Sequence, residues 1–159
     1  MNLRDVEGRS ALLLSKAKDN NASAAIGPFI RLFDEGFSLS DVETINVALR
    51  VSGEDGFELS GQSNLSEISR PPQTIVDQTI GRHHQYPDGF MLYTGTMFAP
   101  TEDRDVPGEG FTHKMGDVVE ISAQGLGMLR NTVRDATQIA PWTYGLGEFM
   151  QNLAKRGLL

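Results

Sequence analysis

An alternation of apolar and polar residues near the middle of the chain constrains the fold most strongly. A period of two is typical of a strand that buries one face. A turn over residues 53–56 follows this stretch, and the alternation resumes over 57–60. The pattern therefore predicts a β-hairpin with a slightly long loop. The alternating apolar residues of the first strand are Ile45, Val47, Leu49 and Val51.

Further short strands and two short helices are predicted along the chain. We expect strands over 23–30, 90–93, 118–121 and 128–133. Proline is tolerated in the first turn of a helix, so Pro71-Pro72 predicts a helix that ends at Ile80. The tail has apolar residues at helical spacing over about 147–156. The chain contains 17 glycines and 7 prolines, which favour tight turns. We predict one domain over 1–159 that is mainly β with short helices, its strands mostly antiparallel.

Composition excludes several classes of function. The net charge of −7 would repel a phosphate backbone, so no nucleic-acid partner is expected. The chain has no cysteine, which excludes disulfides and thiolate metal sites within it and fits a cytoplasmic protein. The longest apolar run near the start, residues 11–14, is far too short to span a bilayer, and no signal-peptide pattern is seen. We therefore expect no membrane partner.

Two polar clusters stand out as candidate sites. His83-His84 follows a predicted helix, and adjacent side chains rarely bind one metal, so a polar turn or a role in positioning substrate is favoured over metal ligation. The run Glu102-Asp103-Arg104-Asp105 could hold a hard cation such as Mg²⁺. A solvated loop with a local arginine–carboxylate pair is the favoured interpretation of that run.

Two further features could bind an anionic substrate. Lys16 and Lys18 follow an apolar run, and a lysine near apolar surface can act as a general base or an anion anchor. Thr94-Gly95-Thr96 follows a predicted strand, where the Gly95 N–H and the Thr96 hydroxyl could grip a carboxylate or keto oxygen. A simple strand-end turn explains the latter pattern equally well.

The order of several motifs resembles the C-terminal domain of the fumarylacetoacetate hydrolase superfamily. The matching segments cover nearly the whole chain. They are RDVEG at 4–8, AK at 17–18, IGPF at 26–29, LYTGT at 92–96, KMGDVVEI at 114–121 and LGMLRNTV at 126–133. The resemblance implies a mixed β-roll, a homodimer, and an Mg²⁺ cofactor that binds the oxygens of a small-molecule 2-keto acid.

The resemblance also assigns roles to individual residues. Lys18 matches the active-site lysine of the family, and Arg4 matches an arginine near the metal. Glu7 occupies a polar position of the active site, while Gly95 and Thr96 match the turn that grips the substrate carboxylate. The remaining candidate for substrate binding is His83.

The residues of two further segments indicate a subgroup of the superfamily. GRHHQYPDG at 81–89 and GTMFAP at 95–100 resemble the bacterial 2-keto-3-deoxy-pentonate dehydratases of sugar-acid catabolism. An acylpyruvate-type C–C hydrolase is the alternative. The register with Arg4 places all three metal-binding carboxylates before Met1, so this domain is expected to be N-terminally truncated. A non-catalytic module of the same fold that lacks the metal site is therefore a third possibility.

Overall fold

A four-stranded antiparallel sheet is the centre of the fold. The computed structural model describes residues 24–27, 29–94 and 102–159. The strands lie in the order β2-β1-β3-β4, and each neighbouring pair is antiparallel. Their bounds are β1 Asn46–Ser52, β2 Glu58–Asn64, β3 Val118–Ala123 and β4 Gly127–Thr132.

The predicted hairpin is confirmed as β1 and β2. Its register runs from Asn46 opposite Asn64 to Ser52 opposite Glu58. The Gly53 N–H donates to the Phe57 carbonyl at 2.8 Å, which closes the connecting loop. β2 extends four residues beyond the predicted end at 60, to residue 64, because the polar residues there still pair with β1.

The second hairpin joins β3 and β4 through a short turn at 124–126. Gly125 and Gly127 have φ angles of 80° and 79°, in the left-handed region that favours glycine. β3 also pairs with β1, so the long connection 65–117 returns the chain to the other side of the first hairpin. The strands predicted over 118–121 and 128–133 are confirmed with small shifts of their ends.

The core lies on one face of the sheet, at the end next to the 53–57 loop. Val51, Leu59 and Phe111 are almost fully buried there. Phe57 stacks on Phe111 with 5.6 Å between the ring centroids. Alternation sends the neighbouring side chain Arg50 to the opposite face, which is polar. Leu49, Phe57 and Val119 complete the core at its margin.

Three short α-helices accompany the sheet in the part of the chain that the structure describes. They are α1 Leu39–Val42, α2 Pro72–Thr79 and α3 Leu146–Lys155. The helices predicted after Pro71 and in the tail are confirmed as α2 and α3. Within 24–27, 29–94 and 102–159, no helix has the length and apolar content needed to cross a bilayer.

Two predicted strands are wrong. The described part of 23–30 and all of 90–93 have no strand structure, and Phe29, Met91 and Tyr93 are exposed. A short apolar run is compatible with a strand only where a neighbouring strand accepts its backbone hydrogen bonds. No such ladder includes these segments among the described residues. The fold class as a whole, mainly β with short helices, is confirmed.

Candidate functional site

Most of the predicted site residues lie outside the described part of the chain. Arg4, Glu7, Lys18, Gly95 and Thr96 all fall within residues 1–23 or 95–101. Their roles therefore stay predictions.

His83 is the one predicted site residue that the structure describes. It lies in a tight turn whose ends, Gly81 and His84, exchange backbone hydrogen bonds of 3.0 and 3.1 Å. The His84 ring lies 6.4 Å from Tyr86, which in turn packs on Phe90 at 5.0 Å. The predicted polar turn is confirmed, and the exposed His83 is free to face solvent or a ligand. Its role in substrate binding stays a prediction.

The most strongly organised polar group in the described residues is a buried ion pair between Arg104 and Asp117. Their side chains are 2% and 1% exposed. The guanidinium donates from Nη1 to Asp117 Oδ2 at 2.5 Å and from Nη2 to Oδ1 at 2.8 Å, which makes the pair bidentate. The Lys114 N–H donates to Asp117 Oδ2 at 2.8 Å. Asp117 thus has both oxygens engaged, as a buried carboxylate requires.

The ion pair extends to the surface through the first hairpin. Arg104 Nη2 also donates to Asp55 Oδ1 at 3.0 Å. Lys114 Nζ lies 2.9 Å from Asp55 and 2.5 Å from Asp105. We call these five residues the ion-pair anchor. It ties the loop 102–117 to the turn between β1 and β2.

The electrostatics of the anchor keep its members charged. Hydrogen bonds from Arg104 hold the pKa of Asp117 below its usual range, against the opposing effect of burial. Arg104 and Lys114 together lower the pKa of Asp55. Burial lowers the pKa of His113, whose Nδ1 lies 3.5 Å from Asp117. Asp117 is therefore a charged structural partner of Arg104.

The absence of a side chain at Gly53 leaves space for the ion-pair anchor. A Cβ on Gly53 would overlap Arg104 Nη2 and Asp55 Oδ1 and lie 3.2 Å from Asp117. Only glycine leaves this space open next to a guanidinium that is already fixed by two carboxylates. The Phe57 ring lies under the guanidinium, with 4.5 Å between the Arg104 Cζ and the ring centroid.

The expectation of a largely exposed loop at 102–105 is confirmed, but the expected local arginine–carboxylate pair is wrong. Arg104 is buried, and its partners lie 13 and 49 residues away in sequence. Asp103 instead accepts hydrogen bonds of 2.7 Å from the N–H groups of Gly108 and Gly110, which shapes the loop. One part of this site is visible in the sequence, the Gly116-Asp117 motif before β3. The sequence does not identify Arg104 as the partner of Asp117, because pairing between distant residues depends on the fold.

The described residues do not fit a magnesium site. No group of three histidine or carboxylate side chains that could hold a metal occurs in the described part of the chain. Asp55, Asp105 and Asp117 are already paired with Arg104 and Lys114. A cation bound there would have to displace these ion pairs. The alternative that the run 102–105 binds Mg²⁺ therefore has no support in this geometry.

Arg104 joins the loop to the sheet through three described partners. Its guanidinium donates to the carboxylates of Asp117 and Asp55 and to the Thr112 carbonyl. These contacts hold the loop against the sheet at residue 104.

Comparison with known proteins identifies the family. Residues 1–134 match the family described as fumarylacetoacetate (FAA) hydrolase C-terminal. Because this match covers most of the chain, the chain belongs to that family. The resemblance seen in the sequence motifs is confirmed.

Two characterised relatives carry related names. The chain is 27% identical over 136 residues to the 2-dehydro-3-deoxy-D-arabinonate dehydratase of Saccharolobus solfataricus, covering 86% of this chain and 42% of the relative. It is 25% identical over 130 residues to the probable 2-keto-3-deoxyxylonate dehydratase of Haloferax volcanii, covering 82% of this chain and 41% of the relative. The chain therefore spans less than half the length of these relatives.

Solved structures agree with the sequence comparison. A 2-keto-3-deoxyarabinonate dehydratase in a hexagonal crystal form matches with a TM-score of 0.66 and 28% identity, over 84% of this chain and 42% of that one. A 2-keto-3-deoxy-D-arabinonate dehydratase complexed with magnesium and 2,5-dioxopentanoate gives the same TM-score and identity, over 84% of this chain and 43% of that one. The fold described above is therefore similar to part of the fold of these dehydratases.

Proposed function

We propose that this chain is the C-terminal part of a magnesium-dependent dehydratase that acts on a 2-keto-3-deoxy sugar acid. One observation carries the proposal: the fold matches a dehydratase in complex with magnesium and 2,5-dioxopentanoate at a TM-score of 0.66 and 28% identity. The relatives named as arabinonate and xylonate dehydratases support the same substrate class. The protein is further proposed to be a cytoplasmic homodimer.

The proposed reaction removes one water from carbons 4 and 5 of a 2-keto-3-deoxy-pentonate. The C4–O bond breaks, a proton leaves C5, and the resulting enol becomes the aldehyde of 2,5-dioxopentanoate. In this proposal Lys18 transfers a proton or binds the developing anion, and the Gly95 N–H and Thr96 hydroxyl grip the substrate carboxylate. Arg4 is proposed to act near the metal, Glu7 at a polar position of the active site, and His83 in substrate binding from its exposed turn.

Magnesium would have to be held outside the described residues, since none of them forms a suitable group. The proposal places its carboxylate ligands before Met1. The metal would supply polarisation of the keto oxygen when bound. The ion-pair anchor has no chemical step in this proposal.

Two neighbouring lysines allow a matched test of the proposal. The protein, isolated from its native source together with its natural N-terminus, is assayed with 2-keto-3-deoxy-arabinonate and Mg²⁺. We expect Lys18→Ala to lower kcat by at least a hundredfold, because it removes a group that acts on the reacting atoms. Lys16→Ala, two residues away, should retain wild-type kcat. Equal effects of the two changes would refute the assignment of Lys18.

The alternative functions predict different results in the same assay. An acylpyruvate-type hydrolase would cleave an acylpyruvate and leave the sugar acid unchanged. A non-catalytic module would turn over neither compound and would show no heat of Mg²⁺ binding by calorimetry. The dehydratase names of the relatives favour the first proposal over both.

A further inference from the structure

The chain contains two Asp-Gly sequences, and the structure places both in turns of the same kind. Asp55-Gly56 lies in the loop between β1 and β2, and Asp88-Gly89 lies in the connection between β2 and β3. In each turn the glycine N–H donates to the carbonyl three residues earlier, at 3.0 Å in the first and 2.8 Å in the second. The two glycines have φ angles of 83° and 82°, and a Cβ on either would meet nothing within 4 Å. The two sites therefore match in local sequence and in backbone structure.

An aspartic acid that precedes a glycine can react with its own backbone. The glycine nitrogen attacks the side-chain carboxyl carbon, and the amide hydrogen and the carboxyl hydroxyl leave together as one water. The product is a five-membered succinimide ring. When water adds to the carbonyl of this ring that belonged to the backbone, the ring opens to isoaspartate. One water is released and one is consumed, so the reaction needs no other reactant. Glycine favours the attack because it has no side chain to obstruct the nitrogen.

The carboxylate of Asp55 is held away from this reaction by its hydrogen bonds. Its Oδ1 accepts from Arg104 at 3.0 Å and from the Phe57 N–H at 3.2 Å. Its Oδ2 accepts from Lys114 Nζ at 2.9 Å. Rotation of the carboxyl group toward the Gly56 nitrogen would break these contacts. Arg104 and Lys114 also lower the pKa of Asp55, which makes the neutral acid scarce, and the neutral acid is the reactive form.

The carboxyl group of Asp88 lacks these restraints. The residue is exposed, and no residue in the described part of the chain donates a hydrogen bond to its side chain or forms an ion pair with it. Rotation of this carboxyl group toward the Gly89 nitrogen therefore breaks no contact with the described residues. The environment of the carboxyl group thus favours reaction at Asp88 over reaction at Asp55.

The backbone of the second turn is also strained. Its first residue, Tyr86, has a φ of 46°, in a region that bulky side chains rarely adopt. Rearrangement of the backbone at this residue relieves the strain. The first turn instead joins two paired strands, and the Gly53 N–H holds it closed by donating to the Phe57 carbonyl at 2.8 Å. The second turn is therefore easier to open, and opening releases the Gly89 N–H for the attack.

We propose that Asp88 is a site of spontaneous isomerisation to isoaspartate, and that the ion-pair anchor protects Asp55 from the same reaction. The modification lengthens the main chain by one carbon atom within residue 88 and leaves the carboxylate on the α carbon. It alters the turn that follows the exposed pair His83-His84 and leaves the mass of the protein unchanged. Isomerisation of Asp88 does not depend on the dehydratase activity proposed above.

The first test compares the two sites within the same folded molecules. The natural protein is incubated near neutral pH for several weeks and digested with trypsin. Trypsin does not cleave before proline, so the sites fall in separate peptides, 51–82 and 83–104. Chromatography separates the isomeric peptides, and electron-transfer fragmentation locates the isoaspartate. We expect at least tenfold more isoaspartate at Asp88 than at Asp55. Equal amounts at the two sites, an excess at Asp55, or none at Asp88 would overturn the proposal.

The second test asks whether the fold causes the difference. The same incubation in guanidinium chloride removes the ion pairs and both turns, so the two Asp-Gly sequences should react at comparable rates. An excess at Asp88 that persists undiminished in the unfolded chain would contradict the protective role of the anchor.

A pair of variants tests the protection of Asp55 directly. Lys114→Met removes the donor to Asp55 Oδ2 from a position that is 42% exposed. It should raise isoaspartate at Asp55 several-fold and leave the amount at Asp88 unchanged. Arg130→Met, which removes an exposed cation paired with Glu120, is the matched control and should change neither site. An unchanged rate at Asp55 in Lys114→Met, or an equal rise in Arg130→Met, would contradict the proposal.

Discussion

Replacement of Asp117 by asparagine gives the sharpest test of the ion-pair anchor. The substitution keeps the size of the side chain and removes the charge that neutralises Arg104, whose side chain is 2% exposed. The carboxylate of Asp117 accepts three hydrogen bonds. Asparagine replaces one of its oxygens by an NH2 group, which can donate a hydrogen bond but cannot accept one. A buried charge is left with Asp55 as its remaining carboxylate partner.

The expected cost follows from this loss of pairing. Removing one partner of a buried ion pair costs about 3–5 kcal/mol, and the contact to Asp55 places the expected value near the lower end, at about 3 kcal/mol. For a chain of this length, 1 kcal/mol changes Tm by about 2–4 °C, so Tm should fall by roughly 10 °C. Urea unfolding followed by far-UV circular dichroism measures the free energy of unfolding directly.

A second ion pair in the same sheet provides the control. Arg50 and Glu58 pair at 3.0 Å on the polar face, but both side chains are more than half exposed. Exposed pairs contribute little to stability, so Glu58→Gln should leave the urea midpoint close to that of the wild type. Equal shifts for Asp117→Asn and Glu58→Gln would refute the argument that burial gives the anchor its strength.

Two further predictions concern the surroundings of the anchor. Gly53→Ala should destabilise the protein by about 1–3 kcal/mol, since the added methyl group overlaps Arg104 and Asp55, while Gly81→Ala, with open space and no positive φ, should have little effect on the urea midpoint. Burial lowers the pKa of His113 in the folded state, so protonation favours the unfolded chain and stability should fall as the pH drops below about 6.5. His113→Gln should therefore reduce the loss of stability between about pH 7.5 and 5.5, as measured by urea midpoints at each pH.

The sequence predicted the elements that depend on local patterns. The alternation around Val51 and Leu59 identifies β1 and β2, because a half-buried strand imposes a period of two on its side chains. Proline at the start and apolar spacing identify α2 and α3. The apolar run 90–93 misled the prediction, since a strand also needs a neighbour that accepts its hydrogen bonds.

The anchor could not be predicted from local patterns. Arg104 looked like one charge among several in a polar loop, and its burial depends on Asp117 and Asp55, which the chain brings to it from 13 and 49 residues away. The assignment of Lys18 and Thr96 came from resemblance of motifs, and these residues lie outside the described structure. The family was identified correctly because its motifs occur in order along the chain.

The most direct measurement of the central claim is the identity of the product formed by the natural protein. A mixture of 2-keto-3-deoxy-arabinonate and an acylpyruvate is incubated with the protein and Mg²⁺ and then analysed by mass spectrometry. We predict that the sugar acid loses one water and becomes 2,5-dioxopentanoate while the acylpyruvate persists. Cleavage of the acylpyruvate with the sugar acid intact would contradict the dehydratase proposal.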